Sequence, residues 1–302
     1  MITTRSSGAW ALILASVLWG TTGTAAHFMP ASVSPLAIGA STMTFGGLLL
    51  FAVSARGSIA ALRDATARPW LLMGAVGVVV YPLAFYSSMD LAGVAVGNVV
   101  SLGTGPVFAA IIEWLVERRR LSVLWAACTA VAITGVVLLA LGGHREVVSS
   151  VDSVTHGVLL GLVAGLAYAN YTYASSRAIQ CGQAPRSVMG GMFGLGAVAL
   201  IPVLVTFGAP LVQSGGSVGI AVYLAVGPMF VAYLLFGIGM RSLRSTTATT
   251  ITLLEPVVAT LLAIIVVGER LDQAAWIGLF LILGAVTVLA TARQSRTRAR
   301  GT

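Results

Sequence analysis

Apolar residues in this chain neither alternate with polar ones, as on a half-buried strand, nor form one stripe, as on a surface helix. They run on for about twenty residues at a time, the length needed to cross a hydrocarbon core about 30 Å thick as a helix. Ten such runs are predicted as helices, at 8–26, 36–54, 69–89, 94–116, 122–141, 157–176, 187–207, 218–239, 246–267 and 273–291. The breaks between them are short and carry arginine, proline or glycine, so successive helices are expected to be antiparallel. This pattern predicts an all-α polytopic membrane protein.

Composition agrees. The chain is 58% hydrophobic and 9% charged, whereas a soluble chain carries about a quarter charged residues. The net charge of +8 is not a nucleic-acid footprint, because all seventeen basic residues are arginines in the breaks and termini. With the N-terminus placed in the cytoplasm, the inner segments hold Arg5; Arg56, Arg63 and Arg68; Arg118 to Arg120; Arg177 and Arg186; Arg241 and Arg244; and Arg293, Arg296, Arg298 and Arg300. Only Arg145 and Arg270 fall outside. That bias predicts ten spans in the plasma (inner) membrane with both termini inside. The first span follows Arg5 and ends in a loose match to a signal-peptidase site. It is too long for a signal-peptide core, and nine spans follow, so it is read as retained.

The halves resemble each other. SLGTGPVFAAIIEWLVERRRL (101–121) aligns with ITLLEPVVATLLAIIVVGERL (251–271) at a shift of 150, and LWG (18–20) aligns with AYA (167–169) at a shift of 149. Residues 1–145 and 146–302 are therefore read as two five-helix repeats. Five is odd, so the second repeat enters the membrane upside down, an architecture of secondary transporters.

Polar residues inside the runs mark the candidate chemistry. Glu255 and Pro256 lie side by side in the ninth span, about ten residues or roughly 15 Å in. A carboxylate at that depth costs about 2.5 kcal/mol or more to insert. Proline frees a carbonyl one turn earlier. This span is expected to be a broken helix lining a pathway. Two roles for Glu255 stay open: a cation or proton partner, or a brace held by Thr252, the freed backbone and the facing Asn98 and Ser101.

Further cavity candidates are the polar-edged residues near mid-span: Trp19 with Thr22, Tyr81, Tyr86, Tyr168, Asn170, Tyr171 with Ser175, and Tyr233. Their rings suit an apolar substrate body or an ammonium; helix–helix hydrogen bonding is the alternative for each. Pro106 and Pro256 are candidate gating or helix-break positions, with Pro82, Pro202 and Pro228 as further bends. Glu113 and Glu117, one turn apart beside Arg118 to Arg120, are expected to form snorkelling ion pairs. The glycines are expected to serve helix packing. Cys128 and Cys181 suggest neither a disulfide nor a metal site, and the histidines have no ligand spacing. No GxSxG or phosphate loop is present, so neither catalysis nor ATP hydrolysis is expected. No cofactor is implied, and energy is expected from a gradient or from exchange.

The aromatic and glycine pair Trp19 and Gly20, the proline of the fourth span (Pro106), Glu255 with Pro256, and the run Gly268, Glu269, Arg270, Leu271 resemble the EamA family of the drug/metabolite transporter superfamily. The resemblance covers nearly the whole chain. It departs at Glu117 to Arg120, where the family pattern is nearer Gly-Glu-Arg, and in GASTM (39–43), where many members carry an arginine. It implies ten transmembrane helices as two inverted EamA-like five-helix repeats around a central cavity, and export of small metabolites such as amino acids or amines. Implied partners are a small-molecule substrate and the lipid bilayer, with a homodimer left open. An uptake permease, a lipid scramblase and an intramembrane enzyme are the rival readings.

Overall fold

The computed structural model describes residues 3–30, 32–92, 94–118, 121–141, 151–267 and 273–298. The expectations placed on Arg119, Arg120, Arg145 and the run Gly268 to Leu271 fall outside them. Every regular element among the described residues is helical. The first half contains α1 (Thr3–His27), α2 (Pro35–Ala52), α3 (Ala55–Arg63), α4 (Arg68–Ala92), α5 (Val94–Glu117) and α6 (Val123–Leu141). The second contains α7 (Val151–Gln180), α8 (Pro185–Phe207), α9 (Gly215–Leu224), α10 (Ala232–Ser242), α11 (Ser245–Ile251), α12 (Leu254–Leu262) and α13 (Gln273–Arg298). A π-helical stretch, Ala225–Val231, joins α9 to α10, and another, Ala263–Val267, continues α12.

Among the described residues, eight spans are long and apolar enough to cross a membrane; two shorter apolar helices, Val123–Leu138 and Gln273–Val288, accompany them. These two pack on each other, with Gly135 against the Gly278 carbonyl and Ile282. Large side chains such as Trp10, Leu14, Val205 and Phe280 point outward, into what the hydropathy identifies as lipid. Many of the hydroxyls point inward. Ser16, Ser41 and Ser175 donate to the carbonyls of Leu12, Ile38 and Tyr171 on their own helices, which satisfies them where no water is available.

The main helix contacts run between the halves. α4 packs on α7, α2 on α8, α6 on α13, α5 on α7, and α1 on both α10 and α12. The start of α1 meets the end of α10, through Gly8 and Ser242. At the same end of the bundle the ion pair from Glu113 on α5 to Arg244 closes the α10–α11 turn. The Glu113 carboxylate also accepts from the Ser245 hydroxyl at 2.6 Å and the Thr246 N–H at 3.0 Å. It therefore caps the free N–H groups of α11 from another helix. This corrects the expected interfacial pair with Arg118 to Arg120: Glu113 is only 3% exposed and serves the second half. Glu117 pairs with Arg177 at 3.3 Å and accepts from the Tyr173 hydroxyl at 3.2 Å. On the turns nearby, Thr66, through its N–H and hydroxyl, and Gln183 donate to Asp64. The Thr66 bonds hold the Asp64 carboxyl below its ordinary range, so it stays ionised at neutral pH.

The broken span has a different cause from the one expected. Thr249, Thr250 and Thr252 hydroxyls bond back to carbonyls one turn earlier, a habit that bends helices. The helix turns at Thr252 and Leu253, where the Leu253 and Glu255 N–H groups bond to the carbonyls of Thr250 and Thr252 at 3.2 and 2.9 Å. The carbonyl that Pro256 deprives of a partner is thus served by Glu255. Pro256 sits in the first turn of α12, where a missing N–H costs little. Pro106 interrupts nothing: α5 runs straight through it.

Candidate functional site

Between the halves lies a cavity of about 80 Å³, room for a handful of water molecules. Eight of the sequence candidates line it: Trp19, Thr22, Tyr81, Tyr86, Tyr168, Tyr171, Tyr233 and Glu255. Helix period explains the set on α7. Tyr168 and Tyr171 are three residues apart and share a face. Asn170, between them, points elsewhere and donates to the Met73 carbonyl on α4 at 2.8 Å. Asn98, Ser101 and Thr252 are also outside the lining.

The rings form one connected set. Tyr81 lies 5.8 Å from Tyr168 and 5.9 Å from Tyr171, and Trp19 lies 5.0 Å from Tyr233. Below them Phe193 stands 4.2 Å from Tyr233, and Phe236 packs on Trp19 at 5.6 Å. Phe193 and Phe236 are both fully buried, so the cavity ends on an aromatic floor toward the α1-start end of the bundle. The Tyr171 and Tyr233 hydroxyls are bonded to each other at 2.9 Å. The Thr252 hydroxyl gives its proton to the Thr249 carbonyl, so the Tyr168 hydroxyl donates to it, at 2.5 Å. Tyr168 thereby ties α7 to the turn that precedes Glu255.

Two close approaches fix the geometry. Gly20 lets α1 lie on α12: a β-carbon there would stand 2.9 Å from the Glu255 carbonyl and 2.5 Å from Val258. Gly105 lets α5 receive the Tyr168 ring, 2.8 Å from where its β-carbon would be. In the repeat alignment Trp19 corresponds to Tyr168, and Gly105 to Glu255. One half thus offers a carboxylate where the other offers the seat of a ring.

The Glu255 carboxylate has no hydrogen bond or ion pair among the described residues. The bracing cluster expected around it is not assembled, since Thr252 is engaged by Tyr168 and Ser101 is fully buried with an unpartnered hydroxyl. Sequence reasoning missed Thr42, Met43, Phe85, Leu102 and Met229 of the lining. Thr42 had a readable signal, a hydroxyl-rich patch in an otherwise apolar run; its hydroxyl is buried and unpartnered. Pro228, read as a bend, lies within the π-helical stretch and on the cavity wall.

Residues 6–141 and 155–291 each match the model of the EamA-like transporter family. The chain belongs to that family. Among its relatives, an uncharacterised transporter, YwfM, of Bacillus subtilis is 31% identical over 95% of both chains. An uncharacterised inner membrane transporter, YicL, of Salmonella typhimurium is 24% identical over 95% of this chain and 96% of its own. A protein of Ancylobacter novellus named aromatic amino acid exporter YddG is 27% identical over 94% of this chain and 97% of its own. A crystal structure 23% identical in sequence superposes with a TM-score of 0.80 over 97% of this chain and 99% of that one. The family matches thus cover both halves of the chain, and these relatives are named as transporters.

Proposed function

We propose that this protein is a secondary transporter that exports a small metabolite, an amino acid, an amine or a related compound, across the plasma membrane by alternating access. The observation that carries this reading is the central cavity, built from both halves and lined by rings around one unpartnered carboxylate. In this reading the two shorter apolar helices also span, giving ten, and the two family matches are inverted repeats. The packing supports it: exchanging the halves turns the α4–α7 contact into α10–α1 and the α5–α7 contact into α12–α1, and leaves α2–α8 and α6–α13 unchanged. The aromatic floor and the Glu113 cap close the end that bears the start of α1. Opening that end requires α5 and α11 to part, while the opposite end closes over Trp19 and Tyr86. Cytoplasmic termini rest on the arginine bias, and export rests on the family resemblance and on the relative named an aromatic amino acid exporter. The family and the transporter names of its relatives support a carrier over an enzyme.

The test is purified protein in liposomes. Movement of a metabolite down an imposed gradient, with no flipping of labelled lipid and no chemical product, is expected. Lipid flipping or product formation without solute movement would overturn the reading.

A further inference from the structure

Resting on the transporter reading, we propose that the cavity takes an organic monocation, an amine carried on a flat apolar body, and discriminates against the zwitterionic amino acid with the same body. The charges in and around the site carry this. Of the carboxylates held inside the bundle, Glu113 is matched to Arg244 and Glu117 to Arg177. Glu255, on the cavity wall, is matched to nothing among the described residues. An unmatched carboxylate in a wall of rings is a binding position for a cation that arrives with the substrate.

The rest of the wall fits the same ligand. Trp19, Tyr81 and Tyr168 present ring faces that attract a cation and pack a flat body. The Thr42 hydroxyl is buried in a residue 8% exposed, lines the cavity and has no partner. It supplies one uncommitted polar contact beside the rings. No arginine or histidine stands among the lining residues, and the chain has no lysine. An amino acid's own carboxylate would therefore enter without a counter-charge and share a small, weakly solvated space with Glu255. The amine lacking that carboxylate keeps every favourable contact and escapes the repulsion.

The experiment measures binding to the purified full chain by quenching of intrinsic tryptophan fluorescence. The matched probes are phenethylamine against phenylalanine, and the non-fluorescent cyclohexylethylamine against cyclohexylalanine. Each amine is expected to bind on the order of tenfold or more tighter than its amino acid. Glu255→Gln should bring the two to within about threefold, and Thr42→Val should weaken the amine several-fold without restoring the amino acid. Equal or tighter binding of the amino acids, or no binding of either amine, would overturn the proposal even if Glu255→Gln fails to fold. So would an unchanged preference in a folded Glu255→Gln protein. Counterflow in liposomes separates the two readings. Solute movement without amine preference sinks the monocation but leaves the transporter. Amine-selective binding with no solute moved by any gradient leaves the site and sinks the transporter.

Discussion

At Gly20 a single hydrogen atom in place of a methyl group decides how closely α1 approaches α12. A β-carbon there would press on the Glu255 carbonyl, a backbone atom that cannot rotate away, and on Val258. Overpacking of this kind costs about 1–3 kcal/mol. Gly20→Ala is therefore expected to lower the thermal midpoint of the detergent-solubilised protein. Gly23→Ala, one turn on and facing open space, should match or slightly exceed wild type, since alanine is the better helix former. Equal losses at both would mean that α1 does not rest on α12. Trp19 and Tyr168 were legible because a ring with a polar edge near mid-depth is rarely an interface anchor. Asn170 took the alternative, a helix–helix hydrogen bond to the Met73 carbonyl, because two residues along a helix turn its side chain about 200° from that of Tyr168. Met43 and Phe85 carried no signal at all, being ordinary apolar residues until the fold places them on a wall.

At the scale of elements, a helix of one half is capped by a carboxylate of the other. Glu113 serves the Arg244 guanidinium, the Ser245 hydroxyl and the Thr246 N–H together. Removing one partner of a fully buried pair costs about 3–5 kcal/mol; here the Arg244 side chain is 30% exposed, so the loss comes mainly from the buried Ser245 hydroxyl and Thr246 N–H left unsatisfied. Glu113→Ala should thus destabilise the protein severely, with Glu113→Gln milder because an amide oxygen still accepts one bond. A thermal midpoint near wild type for Glu113→Ala would show that α11 needs no cap from α5. The partner of Glu113 was not readable, because it lies 131 residues away and nearer arginines offered themselves. The break in the ninth span was foreseen, but at the proline; the back-bonding threonines just before it decide the place. α3 was missed for a simpler reason: nine residues with Arg56 and Arg63 at its ends do not register in a search for membrane-length runs.

For the whole molecule, hydropathy made the spans visible because the bilayer demands long apolar helices from any chain that crosses it. The cavity was only partly visible, since it belongs to neither half alone. Topology offers one check. A reporter fused after Arg120 is expected in the cytoplasm, and one inserted within 145–152 outside; the opposite placement of either would break the inverted-repeat reading. In the transport reading, solute passes through the aromatic cavity between the halves. Its most direct test is counterflow in liposomes with wild type, Trp19→Ala, Tyr168→Ala and Trp276→Ala at matched protein content. Trp276 is an outward-facing ring, 43% exposed and stacked on Phe280, so it reports folding and lipid contact without the cavity. The first two variants are expected to lose at least about tenfold in rate, the loss of roughly 1.4 kcal/mol of contact, while Trp276→Ala keeps wild-type rate. Full activity in both Trp19→Ala and Tyr168→Ala, or equal losses in all three, would contradict that reading.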